Sequence, residues 1–260
     1  MKRRILGRLL VAVLGAITIA PAGAQTVVRV AAAADLQPVL PPVLAQFERQ
    51  TGIHAEVTYK ASAMLTTQIL NGAPIDLFLS ADLGYPKRLI AAGVAAGLDR
   101  SKTPVTYAKG TLVLWERKDM HLPPPSLALL RDANLKRLAI ASPERAPYGR
   151  AAVAALKSLK LYDALQPRLA TAENISQAAQ FAESANAQAG LISLTSALTP
   201  ALASSGEYFV IPRDLYPPIE QGAVIINKAQ DRAAARKLLD FLLSPPVQAE
   251  LAKRGLTPVQ

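Results

Sequence analysis

The chain contains no cysteine. Disulfide staples, thiolate metal centres and cysteine nucleophiles are thereby excluded, and so is a lipid-modified cysteine. Histidine is almost as scarce. His54 and His121 are the only two in 260 residues, and they stand far apart among charged or proline-rich neighbours, which is not a zinc-ligand pattern. Aromatic residues make up 5% of the chain, with a single tryptophan. No arginine-rich stripe with interleaved aromatics occurs, so a nucleic-acid partner is not expected. There is no Gly-x-Ser-x-Gly elbow of the kind that exposes a hydrolase serine. No hydrophobic run reaches the roughly 20 residues that a membrane-spanning helix needs.

What is present suits a folded α/β protein. Hydrophobic residues are 51% and charged residues 18%, enough apolar area for a sizeable core, and the length fits one large domain or two modest ones. The first 24 residues read as a secretory signal peptide. Lys2, Arg3, Arg4 and Arg8 form a basic start, residues 9–20 are apolar, and Ala22-Gly23-Ala24 is a small-x-small site. Cleavage is expected before Gln25. Removing these four basic residues lowers the formal charge from +10 to +6, a mild positive field that helps attract an anion. With no cysteine to carry a lipid, the mature chain is expected free in the periplasm.

Beyond the leader, apolar periodicity alternates between strand and helix. Strands are expected over 27–32, 57–59, 75–79, 111–115, 137–141, 190–194, 208–211 and 223–226. Helices are expected near 39–51, 65–70, 87–92, 126–130, 150–159, 176–185, 229–243 and 247–254, several of them closed by glycine. This alternation predicts α/β layers around a largely parallel sheet. Two extended, turn-rich segments, near 105–111 and 217–223, read as crossings between two lobes. The first lobe is then 25–104 with 220–260, and the second is 105–219.

Ligands of open α/β sheets bind beyond the carboxyl ends of strands. Five segments fit: Ala33-Ala34-Asp35, Lys60-Ala61-Ser62-Ala63, Ser80-Ala81-Asp82, Ser142-Pro143 with Pro147-Tyr148-Gly149, and Glu173-Asn174-Ile175-Ser176. All carry small or hydroxyl residues where helices begin. The first N–H groups of a helix lack internal partners, and the dipole there favours negative charge. Such ends suit an anion. Ser62 and Tyr148 add hydroxyl donors, so a dianion can be held without salt bridges.

Those segments carry a resemblance. Residues 31–36 (AAAADL), 68–82 (QILNGAPIDLFLSAD), 107–115 (YAKGTLVLW), 142–150 (SPERAPYGR), 173–181 (ENISQAAQF) and 218–225 (PIEQGAVI) are similar to the molybdate-binding proteins of ABC importers. The likeness runs over nearly the whole chain after the leader. It implies a two-lobed type II periplasmic binding protein with two chain crossings forming a hinge, and no enzyme. Molybdate or tungstate would lie in the interlobe cleft and pass to an inner-membrane permease. No cofactor is implied, and a monomer is expected. Carried over by position, the ligand residues are Ala34, Asp35, Ser62, Ala81, Tyr148 and Ile175, donating backbone N–H and hydroxyl groups to oxyanion oxygens, with no direct metal ligand.

Three positions depart from the family. Some members have serine at Ala34, or threonine and asparagine at Ala34 and Asp35, and some have tyrosine at Ser193. Here the first loop has no hydroxyl, and Tyr148 supplies the one from across the cleft. A carboxylate facing a dianion would repel it. Asp35 is therefore expected to offer its N–H and turn its side chain away to cap the following helix. The residues leave sulfate, phosphate, chromate or a small organic anion open as ligands. A hydrolase using Ser62 or Ser80, or a carboxylate pair of Asp35 and Asp82, lacks a supporting histidine at the cleft. A sensor that binds a partner protein is the third reading.

Overall fold

The computed structural model describes residues 26–259; the expected signal peptide and cleavage site lie outside them. Among the described residues, eleven strands form two sheets. β1 (Val27–Ala33), β2 (His54–Lys60), β3 (Leu77–Ser80), β4 (Ala95–Ala96), β5 (Val105–Gly110) and β11 (Ile219–Ile226) build the first. β6 (Leu112–Arg117), β7 (Leu138–Ala141), β8 (Leu169–Ala172), β9 (Ala189–Ser193) and β10 (Gly206–Val210) build the second. The helices are α1 (Leu40–Thr51), α2 (Ser62–Leu70), α3 (Gly84–Ala91), α4 (Pro147–Ser158), α5 (Tyr162–Leu165), α6 (Ile175–Glu183), α7 (Leu194–Ala197), α8 (Pro200–Ser205), α9 (Arg232–Leu243) and α10 (Pro245–Lys253). No helix among the described residues is long and apolar enough to cross a membrane.

The first sheet runs β2-β1-β3-β11-β4, with β5 also paired to β11; the second runs β10-β6-β9-β7-β8. Both are mixed rather than largely parallel. β1 lies parallel to β2 and β3, and β7 parallel to β8 and β9. β11 is antiparallel to β3, β4 and β5, and β6 is antiparallel to β9 and β10. The reason is connectivity. The chain leaves the first sheet through β5 and re-enters it through β11, and the two crossing strands lie antiparallel. By its pairing, Val105–Gly110 belongs to the first sheet, and the chain passes to the second at Thr111.

Each sheet has its own core. In the first, β1 (VVRVAAA) is central and buried, as a strand covered on both faces should be. α1 buries Leu40, Val43, Leu44 and Phe47 and stops at Gly52, which takes φ +71°. α9 buries Ala234, Ala235, Leu238, Leu239 and Leu242, and its Phe241 ring sits 5.3 Å from Phe47. In the second, Trp115 is wholly buried and its indole N–H donates to the Leu202 carbonyl at 3.2 Å, as a buried indole requires. The expected helix over 126–130 is a single short 3-10 turn, Leu129–Arg131.

Candidate functional site

Five strand-to-helix turns of the two lobes meet at one small cavity. It is lined by Ala33, Ala34 and Asp35 after β1, by Ala61 and Ser62 opening α2, and by Ala81 after β3. From the other lobe come Ala146, Pro147 and Tyr148 opening α4, and Asn174 and Ile175 opening α6. In this closed form it has about 10 Å³ of room for the centre of a water-sized sphere. All six expected ligand residues, Ala34, Asp35, Ser62, Ala81, Tyr148 and Ile175, line it. No basic side chain does.

Three helix N-termini point here, from α2, α4 and α6. The residues preceding α2 and α4 are Ala61 and Ala146, which have no capping oxygen. α6 is capped by Asn174, whose Oδ1 accepts from the Gln177 N–H at 3.0 Å and leaves the Ile175 N–H at the tip. Pro147 opens α4 with its pre-set φ and no N–H of its own. Ser62 Oγ accepts the Ala81 N–H at 3.2 Å, so its hydroxyl proton is left to be donated into the cavity.

Asp35 does not turn away to cap a helix. It is fully buried, and one carboxylate oxygen, Oδ2, accepts from the Tyr148 hydroxyl at 3.2 Å and from the Gln221 side-chain amide. The other oxygen, Oδ1, has no hydrogen-bond partner, and neither does Gln221 Oε1. Burial pushes the carboxyl up to about 6, against the pull of the Gln221 and Tyr148 hydrogen bonds. Burial, and the carboxylate beside it, also push the Tyr148 phenol upward. The capping expectation fails because α1 begins four residues beyond the 3-10 turn of Ala34–Leu36, while Tyr148 and Gln221 are at hand.

Gln221 escaped the sequence reading. It sits at a bulge, where the pairing of β11 with β5 steps from Gln221↔Ala108 to Gly222↔Thr106 and skips Tyr107. Bulges re-aim side chains, and Gln221 and Tyr107 are both buried beside Asp35. Gly110 is the other hidden requirement. A Cβ there would run into the Tyr148 hydroxyl and ring.

Other residues weighed from sequence lie elsewhere. Lys60 lines a separate groove with Arg29 and Glu56. Ser193 caps α7 and lies 2.9 Å from the Ser196 and Thr195 hydroxyls. His54 sits at the surface 3.0 Å from Glu48, and His121 ends a surface 3-10 turn.

The lobes are closed upon each other. Ser176 donates to the Ala34 carbonyl and Thr195 to the Asp35 carbonyl, both at 2.8 Å. The Ala63 N–H donates to the Arg145 carbonyl at 3.2 Å. At the rim Arg150 pairs with Asp82, donates to the Tyr85 hydroxyl at 3.3 Å, and stacks 5.5 Å above that ring.

This two-lobed enclosure has clear relatives. A sequence profile described as bacterial extracellular solute-binding protein matches residues 28–257. The chain belongs to that family. As a solute-binding protein it is 38% identical to the molybdate-binding protein of Azotobacter vinelandii over 92% of this chain and 93% of that one. It is 36% identical to the molybdate-binding protein of Rhodobacter capsulatus over 90% and 89%. In three dimensions it matches the periplasmic molybdate-binding protein of Azotobacter vinelandii with a TM-score of 0.83 and 31% identity, over 90% of this chain and all of that one. The sulfate-binding protein of Mycobacterium tuberculosis shares the fold at a TM-score of 0.74 and 16% identity, over 90% and 88%.

Proposed function

We propose that this solute-binding protein captures molybdate or tungstate between its lobes and presents it to the permease of an ABC importer. The observation that carries the reading is the cavity: three helix N-termini and two hydroxyls from opposite lobes, with no basic side chain in the lining. Such a site neutralises a dianion with oriented dipoles alone. The relatives named for molybdate, matched over nearly their full length, support the choice of anion.

In this reading Ser62 and Tyr148 give hydroxyl protons to oxyanion oxygens, and Ala34, Asp35, Ala81 and Ile175 give N–H groups. Ala81 exchanges its Ser62 partner for the ligand. Binding is the whole chemistry. The chain is exported, loses residues 1–24, and works as a periplasmic monomer.

Size supplies selectivity. A closed ring of donors set for one metal–oxygen distance leaves some donors unpaired around the smaller sulfate, and an unpaired buried donor is penalised. Calorimetric titration of the chain from Gln25 with molybdate, tungstate, sulfate and phosphate tests this. Tight binding of the first two, with no heat from the others, is expected. Tight binding of sulfate or phosphate, with silence from molybdate, would overturn the ligand assignment.

A further inference from the structure

Asp35 places a carboxyl in the wall of a cavity built for an anion, and no basic side chain lines that cavity. Its Oδ1 is buried without a partner, and its Oδ2 takes the one proton of the Tyr148 hydroxyl. A carboxylate here repels the ligand and withholds a donor from it. A carboxylic acid does neither. Protonated, Asp35 becomes a donor, and the Tyr148 hydroxyl is released to the anion.

We infer that the complex carries one more proton than the empty protein, held on Asp35, so that capture of a fully deprotonated oxyanion is coupled to uptake of one proton from solvent. The inference rests on the oxyanion reading above and makes Asp35 the residue that sets its pH range. A ligand that brings its own proton, such as hydrogen phosphate, can satisfy the carboxylate directly, and then no uptake occurs.

The surroundings keep the coupling local. Tyr107 from β5 and Tyr148 from α4 are the titratable side chains whose charge couples to Asp35, and burial holds both phenols well above their usual range. The Tyr107 hydroxyl already donates to the Ser80 carbonyl at 3.3 Å. β11 brings the uncharged Gln221. α6 and α7 bring the hydroxyls of Ser176 and Thr195, both bound to backbone carbonyls. β2 ends in Lys60, which lines a different groove, and Asp82 after β3 is tied to Arg150 at the rim. Burial already raises the empty-site carboxyl to about 6, and the negative charge of a bound dianion raises it further, so the empty protein is deprotonated above neutrality and the complex is not.

The test is calorimetric titration of the chain from Gln25 with sodium molybdate, in buffers of different ionisation enthalpy, across about pH 5.5 to about pH 8.5. Near one proton taken up per anion is expected above neutrality, with affinity falling roughly tenfold per pH unit between about pH 7 and about pH 8.5. Asp35→Asn should bind with no proton uptake and a flat profile over the same range. Binding without proton uptake by the native chain, or an Asp35→Asn profile that falls in parallel with it, overturns the inference while leaving the oxyanion reading standing. No molybdate binding at any pH overturns both.

Discussion

At the scale of single residues the site depends on two hydroxyls and the space they occupy. Ser62 is held by the Ala81 N–H on its oxygen, and Tyr148 by Asp35 and by the absence of a side chain at Gly110. Ser62→Ala and Tyr148→Phe each remove one charge-assisted hydrogen bond to a bound anion, worth roughly 1.5–3 kcal/mol. Affinity for molybdate should fall roughly tenfold or more in each, with an unaltered circular dichroism spectrum. Titration curves that overlay the native one in both variants would remove these residues from the site. The six expected residues came from the family resemblance, and the segments that hold them could be singled out because each stands at a strand-to-helix turn, a local feature of sequence. Gln221 and Tyr107 were not, because a bulge between strands more than a hundred residues apart puts them there. Asp35 was located but its side chain misjudged, since its partners Tyr148 and Gln221 come from the other lobe and the far end of the chain.

At the scale of elements, most of the strands and helices that position the site followed from apolar periodicity, and their pairing did not. Alternation suggested parallel sheets, yet the strands that enter and leave the second lobe run antiparallel to their neighbours. β8 and the short α7 and α8 carry too few apolar repeats to show a period. One consequence of the antiparallel pairing lies away from the site. β6 and β10 place Glu116 directly opposite Glu207. Like charges opposite each other are destabilising, and burial followed by the Glu207 charge pushes the Glu116 carboxyl up to about 7. The folded state therefore favours the protonated acid more than the unfolded chain does. Its contribution to stability is present at low pH and is lost as pH rises from about 4.5 toward about 7. Glu116→Gln should melt at a higher temperature than the native chain at about pH 8, with the difference shrinking at about pH 4. A difference that does not depend on pH would show that the pair does not titrate in this way.

At the scale of the whole molecule, two lobes joined by two crossings must open to admit a ligand and close to hold it, the hinge motion of binding proteins that enclose their ligand. What holds the rim is visible. Arg150 at the start of α4 reaches across to Asp82 and Tyr85, pairing with one and stacking on the other. Asp82 is itself fixed, its Oδ1 accepting the Tyr85 N–H at 3.1 Å. Neither residue of the pair lines the cavity, so it acts on opening and not directly on the anion. An ion pair that is partly exposed is worth roughly 1 kcal/mol or less, which sets the scale of the effect. Arg150→Ala should release molybdate up to roughly fivefold faster, since loss of a contact made only in the closed form appears mainly in the dissociation rate. Added salt should speed release of the native protein toward the variant's rate and change the variant less, because salt screens exposed charges. Displacement of molybdate by excess tungstate in a stopped-flow instrument reads both rates. Equal release rates at low salt would mean that the hydroxyls of Ser176 and Thr195 and the Ala63 N–H, bound to carbonyls of the facing lobe, hold the lobes together without the rim. In that case closure would be governed beside the ligand, where Ser176 and Thr195 grip the carbonyls of Ala34 and Asp35.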